Sequence, residues 1–209
     1  MKGQTVPPND NVIKTIEEKE NIKSIITKSF YDIFAEMGFD HNDPNLNDTP
    51  KRIAKMYVDE IFAGCFNEEP KITVFPNTKK INQMIVLGPI AVKSTCSHHF
   101  QPFSGEAYIA YIPGKKVCGV SKLARIVDWF ARRPQIQEEL TEQIIEYIHT
   151  KLKPSGCAVY ITAKHFCMVN RGVEEENSYM DTCALRGCFT KESTKNEFLE
   201  TVTRKTHRR

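Results

Sequence analysis

The amino-acid sequence predicts an α+β fold, in which an antiparallel sheet carries helices on one face and follows an N-terminal helical unit. Apolar residues recur at three- and four-residue steps in several stretches, a spacing typical of amphipathic helices. Runs rich in β-branched and aromatic residues are typical of strands, and the order of elements is ααββααββα. Because strands joined by tight turns run antiparallel, two hairpins flanking a helical pair favour one antiparallel sheet.

The N-terminal part predicts a loose arm followed by two helices. Residues 1–12 are polar and proline-containing, which is typical of an arm. The first helix is predicted over residues 17–38, with Gly38 as its stop. The second is predicted to begin with Thr49 as the cap and Pro50 as its first residue, and to end near Gly64.

From residue 72 the pattern changes to that of a larger mixed domain. We therefore divide the chain into an N-terminal unit (1–66) and a second domain (67–209). Predicted strands cover residues 85–87 and 91–92 around Gly88-Pro89, then 106–112, 157–169 and 179–189. Predicted helices cover residues 123–133, 136–152 and 192–205.

Composition excludes several classes of protein. Hydrophobic residues are 40% and charged residues 26%, so the chain is not of the disordered kind. The 29 Lys and Arg exceed the 26 Asp and Glu by only three, which does not indicate nucleic acid as a partner. The longest apolar stretch, residues 84–92, is about half a membrane span, and the N-terminus lacks a signal-like apolar run. We therefore expect a cytoplasmic protein with reduced cysteines and no membrane partner.

One cluster of residues suggests a metal site. Cys96 and His99 have the C-x-x-H spacing of two zinc ligands, directly after a predicted strand. His165 and Cys167 lie two apart in another predicted strand, and would therefore share one face. If the hairpins pair, Cys96, His99 and Cys167 could converge as three ligands, which is the number that catalytic zinc sites use. His165 and His98 would then be available for proton transfer.

The alternative for each of these residues is a structural role. Buried cysteine commonly behaves as a small apolar side chain, and five thiols without a neighbouring ligand are assigned to the core: Cys65, Cys118, Cys157, Cys183 and Cys188. A four-thiolate site that includes Cys183 and Cys188 is a further alternative, although their spacing is unusual for one. Three histidines are predicted to be solvated: His41, His149 and His207.

A second group of residues suggests anion recognition. The turn before residues 121–125 leads into a helix, where free N–H groups favour an anion and Ser121 could cap. Lys122 and Arg125 lie three apart and project from one side of that helix. The alternative for these cations is a solvated basic face. Further candidates for the anion are Arg171, Arg52 and Lys55. The segment Gln137-Glu138-Glu139 could be only the charge of a helix N-terminus, or a buried Glu in it could accept two N–H bonds from a guanine edge.

At these residues the chain closely resembles GTP cyclohydrolase I. The matching stretches are TPKRIAKMYVDEIFAG, STCSHHF, GEAYIAYIP, GVSKLARIVDWFARRPQIQEELT and AVYITAKHFCMVNRG. They cover roughly residues 20–200 in the family's order and carry different parts of the site.

The resemblance implies the tunnelling fold (T-fold), in which antiparallel sheets of several subunits close into a barrel, and a decamer of two pentamers. It implies GTP as the substrate, ring opening at C8, and formate and 7,8-dihydroneopterin triphosphate as products. It also implies Zn²⁺ held by Cys96, His99 and Cys167. The resemblance further implies proton transfer by His98, His165 and Ser121. It implies contacts with the triphosphate and ribose from Ser121, Lys122, Arg125 and Arg171, and contacts near the phosphates from Arg52 and Lys55 of the N-terminal unit. It also implies recognition of the guanine by Gln137 and Glu138.

Two positions depart from the family's pattern. Ser97 stands where the family usually has Glu, so a carboxylate that could orient a histidine is missing. Arg186 stands where a small or apolar residue is usual, which could change a subunit contact. Two rival enzymes are a nitrile reductase of the same fold, which would need a catalytic Cys without zinc, and a pterin synthase with a three-histidine zinc site; the set Cys96, His99 and Cys167 fits neither well. A third alternative is a non-catalytic or divergent tunnelling-fold oligomer that binds a purine or pterin, against which His98 and His165 argue.

Overall fold

The computed structural model describes residues 15–206 and divides the chain into two compact units, Met1–Glu69 and Pro70–Arg209. The predicted arm over residues 1–12 and the predicted solvated His207 lie outside the described residues. No helix within residues 15–206 is long and apolar enough to cross a membrane.

The first unit begins with α1 (Ile16–Glu36), whose ends are set by local chemistry. Thr15 caps the helix, because its side chain accepts from the Glu18 N–H while the Glu18 carboxylate accepts from the Thr15 N–H. At the other end Gly38 adopts a φ of 76°, which favours glycine. Its N–H donates to the Ala35 carbonyl and thereby helps to close the last turn. The predicted first helix and its stop are confirmed.

The second helical stretch differs in detail from the prediction. In the α-helix α2 (Thr49–Lys55) the N-cap position is Asp48, whose side chain makes no capping hydrogen bond, so Thr49 is already helical and Pro50 is the second helical residue. A π-helical segment (Met56–Ile61) continues it, and a short α3 (Ala63–Phe66) follows. The prediction of one α-helix was wrong here, because apolar spacing does not distinguish five-residue from four-residue hydrogen bonding.

The second unit is built around a five-stranded sheet in the order β5-β2-β3-β6-β7. All neighbouring strands are antiparallel except the short pair β2–β5. A separate two-stranded ribbon pairs β1 with β4. The strands are β1 (Val74–Pro76), β2 (Ile85–Cys96), β3 (Pro102–Ile112), β4 (Lys116–Cys118), β5 (Pro134–Gln135), β6 (Gly156–His165) and β7 (Met180–Gly187). The helices are α4 (Val120–Ala131), α5 (Gln137–Leu152), α6 (Phe166–Val169) and α7 (Glu192–Thr206), with a 3₁₀ turn at Cys188–Thr190.

The two strand pieces predicted around Gly88-Pro89 are one continuous strand. β2 runs through this dipeptide, and its register against β3 shifts between Leu87 and Ile90. Such a bulge accommodates the proline, which cannot donate to the ladder. An added Cβ on Gly88 would lie 2.3 Å from the Tyr108 ring, so the close approach requires glycine.

Helices pack against both faces of the sheet, so the prediction of helices on one face was wrong for α7. The larger core holds residues of α4 and α5, such as Ile126 and Ile144, against strand residues such as Ile109. The opposite core holds Phe198 of α7 against Tyr108. Adjacent residues 108 and 109 point to opposite faces, as the two-residue period of a strand requires.

The second core depends strongly on one side chain of α7. Phe198 is fully buried and contacts Phe189 edge to face, with ring centroids 6.0 Å apart. We expect Phe198→Ala to lower the free energy of unfolding by about 3–5 kcal/mol, because a large cavity would form. Urea unfolding measures this, with the exposed Glu197→Ala as the matched control within about 0.5 kcal/mol of the parent. A loss below about 1 kcal/mol for Phe198→Ala would show that α7 contributes little to this core.

Candidate functional site

Three predicted site residues come together at one edge of the sheet. A sulfur of Cys96, a sulfur of Cys167 and a ring nitrogen of His165 all lie within 4.8 Å of one another. Cys96 is buried, and the other two are half-buried. This group is called the thiol–imidazole cluster below.

The sheet register explains why these residues meet. Cys96 is the last residue of β2, and Thr95 pairs with Pro102 at the start of β3. Phe103 then pairs with His165 at the end of β6. The end of β2, the start of β3 and the end of β6 are therefore aligned across the sheet.

Cys167 reaches the cluster in a different way from that predicted. β6 ends at His165, and Cys167 lies in the helical turn α6, so the two residues do not alternate along one strand. The Cys167 sulfur nevertheless lies within 4.8 Å of the Cys96 sulfur. Burial and the neighbouring Cys96 thiol raise the pKa of Cys167. The raised pKa favours the protonated form of the Cys167 thiol.

His165 is held by two contacts. Its ring stacks on Phe103, with centroids 4.7 Å apart and planes 7° from parallel. Its Nε2 lies 2.8 Å from the Oε1 of Gln137. Burial lowers the pKa of His165, and the nearby Glu138 carboxylate opposes that shift. The ring is thus fixed in plane and in rotation, beside the two thiols.

Gln137, the first residue of α5, is fully buried. Its Nε2 donates to the Ile161 carbonyl at 3.1 Å, the Met180 carbonyl at 2.9 Å and the Thr182 hydroxyl at 3.1 Å. The side chain thus bridges strands β6 and β7 and His165. Its position follows from the parallel pairing of Cys96 with Gln135, which places the start of α5 beside the end of β2.

His98 and His99 lie in the turn that connects β2 to β3, and both are exposed. The turn is closed by the Cys96 N–H, which donates to the Gln101 carbonyl at 2.8 Å. His99 does not belong to the thiol–imidazole cluster. Its Nε2 lies 3.0 Å from Nη1 of Arg171, and since arginine only donates, Nε2 accepts. The structure thus groups His165, rather than the predicted ligand His99, with the two thiols.

The predicted anion site begins the helix α4. Gly119 is the N-cap, and no side chain caps the helix, so the expectation that Ser121 could cap was wrong. Ser121 is instead an exposed residue of the first turn, together with the half-buried Lys122. Arg125 is exposed one turn later.

The other predicted substrate contacts lie on separate elements. Glu138 is exposed in the first turn of α5, next to the buried Gln137. Arg52 and Lys55 are exposed on α2 in the first unit. The Nη2 atom of Arg52 donates to the Asn45 carbonyl at 3.1 Å and lies 3.2 Å from the Thr49 hydroxyl.

The remaining cysteines divide by burial. Cys118 and Cys157 are buried, as predicted, and burial raises the pKa of Cys157 to about 12, which keeps that thiol protonated. Cys65 and Cys188 are half-buried. Cys183 is exposed, so its assignment to the core was wrong. It lies on β7, the last strand of the sheet, where residues 180–183 alternate between half-buried and exposed and Cys183 takes an exposed position.

The departure at position 186 has a partner within the chain. Arg186 of β7 makes an ion pair with Glu142 at 2.6 Å and approaches Glu146 at 3.8 Å, both on α5. The guanidinium therefore ties α5 to the last strand. Ser97, the other departure, is exposed in the β2–β3 turn, and its N–H donates to the Gln135 carbonyl.

Sequence reasoning missed the residues that hold His165. From the sequence, Phe103 is predicted only to be a buried apolar residue, and it is buried. Its position in the sequence does not indicate that its ring stacks on that of His165. Thr182, an anchor of Gln137, lies in a weakly patterned strand. Both contacts arise from sheet register, which the sequence does not specify residue by residue.

The donor set of the cluster is suited to zinc. Two thiols and an imidazole are borderline-soft ligands of the kind that Zn²⁺ takes in proteins. Donor atoms of three ligands around one tetrahedral zinc lie about 3–4 Å apart, which is compatible with the separations of at most 4.8 Å found here.

Comparison with known proteins agrees with this site. A family model described as GTP cyclohydrolase I matches residues 26–203. The chain belongs to the GTP cyclohydrolase I family.

Curated relatives in the family cover nearly the whole chain. A protein from Aeromonas salmonicida named GTP cyclohydrolase 1 is 44% identical over 200 residues, which cover 95% of this chain and 90% of that protein. Proteins of the same name from Haemophilus ducreyi and Salmonella choleraesuis are 40% and 42% identical, covering 91% and 94% of this chain and 88% and 87% of theirs. The prediction of an enzyme of this family, a hydrolase, is confirmed.

Proposed function

We propose that this protein is a zinc-dependent GTP cyclohydrolase I. It opens the imidazole ring of GTP at C8 with water, releases formate, and forms 7,8-dihydroneopterin triphosphate. The observation that carries the proposal is the thiol–imidazole cluster, in which Cys96, His165 and Cys167 meet at the aligned ends of three strands. Family membership over residues 26–203 supports the same chemistry.

The metal in this proposal is Zn²⁺, held by Cys96, Cys167 and a histidine. When bound in such a site, zinc acts as a Lewis acid and lowers the pKa of coordinated water from about 15.7 to about 7. We assign His99 as the third ligand, because it follows Cys96 at ligand spacing on the turn that Cys96 begins. The grouping of His165 with the thiols offers that residue as the alternative ligand.

Two histidines and a serine would move protons. His165 would protonate N7 of the guanine as the ring opens, since its imidazole is fixed beside the thiols by Phe103 and Gln137. His98 and Ser121, both exposed, would act in the later opening and rearrangement of the ribose. Glu138, exposed beside Gln137, would accept hydrogen bonds from the guanine edge.

The triphosphate is not cleaved, so its contacts would supply binding and orientation. The candidates are Lys122 and Arg125 on α4, Arg171 after α6, and Arg52 and Lys55 on α2. Lys122 and Arg125 lie near the start of a twelve-residue helix, where the helix dipole favours an anion. Arg171 contacts His99, which would place a cation beside the metal site.

One variant separates triphosphate binding from chemistry. We expect Arg125→Ala to weaken GTP binding by about 10- to 100-fold, the loss typical of a hydrogen bond between charged groups. Isothermal titration with GTP measures this. The matched control is Arg132→Ala, because Arg132 lies at the other end of α4 and its guanidinium pairs with the Asp128 carboxylate. Guanosine should be a poor substrate of the unaltered protein. Equal turnover of guanosine and GTP would contradict the assignment.

The proposal includes an assembly. We infer a tunnelling-fold barrel closed by sheets of several subunits, and a decamer of two pentamers, with residues 1–66 as an N-terminal unit and 67–209 as the catalytic domain. The sheet also has exposed polar residues, such as Lys93 on β2 and Asp181 on β7. Such a polar surface is compatible with the inside of a barrel. Native mass spectrometry should give ten copies of the 24.0 kDa chain. A monomer at working concentration would contradict this part.

The direct test is incubation of the purified protein with GTP. Formate and a pterin that becomes fluorescent on oxidation should both appear, and a chelator should abolish them. A protein that binds GTP and zinc without releasing formate would instead be a non-catalytic purine- or pterin-binding member of the family.

A further inference from the structure

We propose that Gln137 is a positioning residue for His165, which fixes both the rotation and the tautomer of its ring. The family resemblance suggests a different role, reading the guanine edge, for this glutamine. The proposal rests on the proposed function only in taking His165 as the proton donor.

The orientation of the Gln137 amide follows from its partners. Its nitrogen lies near the carbonyl oxygens of Ile161 and Met180, at 3.1 and 2.9 Å. Carbonyl oxygens only accept, so the NH₂ group must face them. The amide oxygen is therefore turned toward His165, from whose Nε2 it lies 2.8 Å.

This orientation fixes the proton on His165. An amide oxygen only accepts, so Nε2 of His165 must carry a hydrogen and donate it. In the neutral ring the other nitrogen, Nδ1, then has the lone pair. Stacking on Phe103 fixes the plane of the ring, and the Gln137 bond fixes its rotation within that plane. Nδ1 is thus the nitrogen that remains for a substrate, and it can give a proton only after it has taken one up, in the imidazolium form in which both nitrogens carry hydrogen.

Burial argues against guanine contact by Gln137. The residue is 0% exposed, and both ends of its amide are occupied by groups of the protein. Reading a guanine edge would require these bonds to break, and unpaired buried carbonyl groups would remain. The neighbouring Glu138 is exposed and keeps the carboxylate that a guanine edge would need.

The anchors of Gln137 tie His165 to the second half of the sheet. Its nitrogen also contacts the Thr182 hydroxyl at 3.1 Å. That hydroxyl lies 2.6 Å from the hydroxyl of Thr141. The Thr141 hydroxyl in turn donates to the main-chain carbonyl of Gln137. The glutamine therefore joins α5, β6 and β7 at one point, and this gives it the rigidity that a positioning residue needs.

The test compares Gln137→Leu with Lys151→Gln, an exposed position near the other end of α5, as the control. Magic-angle-spinning ¹⁵N NMR of histidine-labelled protein reports the tautomer, with the His165 signals assigned by their absence from His165→Ala. We expect the parent and the control to show the Nε2–H form. Gln137→Leu should show a mixture of Nε2–H and Nδ1–H forms. An unchanged Nε2–H signal in Gln137→Leu would overturn the proposal.

Kinetics supply the second readout. We expect the kcat of Gln137→Leu for formate release to fall by about 10- to 100-fold, as for a misplaced catalytic group, while the Kd for GTP stays within about twofold. A weakened Kd with unchanged kcat would instead assign Gln137 to the guanine edge and overturn the proposal. If the parent released no formate, the proposed function would fail, but the NMR comparison would still decide the role of Gln137.

Discussion

Replacing His165 with alanine should reduce formate release from GTP by about 10²–10⁴-fold, while the protein keeps its zinc and its assembly. The reason is the fixed position of the ring, which stacks on Phe103 and donates to Gln137 beside the two thiols. Removal of one positioned acid leaves substrate contacts intact, so GTP should still bind. Formate assay, elemental analysis and GTP titration on one preparation measure the three quantities.

The control for this variant is His149→Ala, which removes a histidine near the end of α5 outside the thiol–imidazole cluster. It should keep both zinc and turnover. If His165→Ala lost zinc together with activity, His165 would be the third ligand, as its grouping with Cys96 and Cys167 allows. The role of proton donor would then pass to another residue.

Replacing Cys167 with alanine should remove most of the zinc, from about one ion per chain to a small fraction of that. Cys167 is one of only two thiols in the cluster of the described residues, and its sulfur is within 4.8 Å of the Cys96 sulfur. Loss of a charged sulfur ligand leaves a set too poor in donors to retain the ion against a chelator. Elemental analysis after dialysis measures the change, and activity should disappear with the metal.

The matched control is Cys183→Ala, because Cys183 is an exposed thiol on β7 outside the cluster. It should retain zinc and turnover. His99→Ala, measured beside it, tests the third ligand: loss of zinc supports the assignment of His99, and full retention contradicts it. Full retention of zinc in Cys167→Ala would place the metal site elsewhere.

The parts of the fold that could be predicted are those with a strong local signal. The apolar stripes of α4 and α5 predicted those helices, and Gly38 predicted the end of α1. The face on which α7 packs could not be predicted, because amphipathicity shows that a helix buries a stripe but not against which surface. The π-helical segment after Lys55 had no distinguishing signal, because the spacing of apolar residues does not distinguish five-residue from four-residue hydrogen bonding.

For the site, spacing identified the residue types better than their contacts. Cys96 and Cys167 were both predicted, and the structure brings them together. The prediction that His165 and Cys167 share a strand face was wrong, because β6 ends at His165 and the chain turns helical there. The hydrogen bond between His165 and Gln137 joins residues 28 apart, and only tertiary structure brings them together.

The alignment of three strand ends also determines when the site can form during folding. Cys96 and Cys167 lie on either side of β3, a strand that contributes neither thiol, and 70 residues (97–166) lie between them in the sequence. During synthesis the first thiol is made well before its partner, and the two cannot approach until β6 has paired with β3. A cation that needs both sulfurs can therefore bind only after the centre of the sheet exists. Metal uptake would then be a late event in biogenesis, and it would report completion of the sheet rather than initiate it.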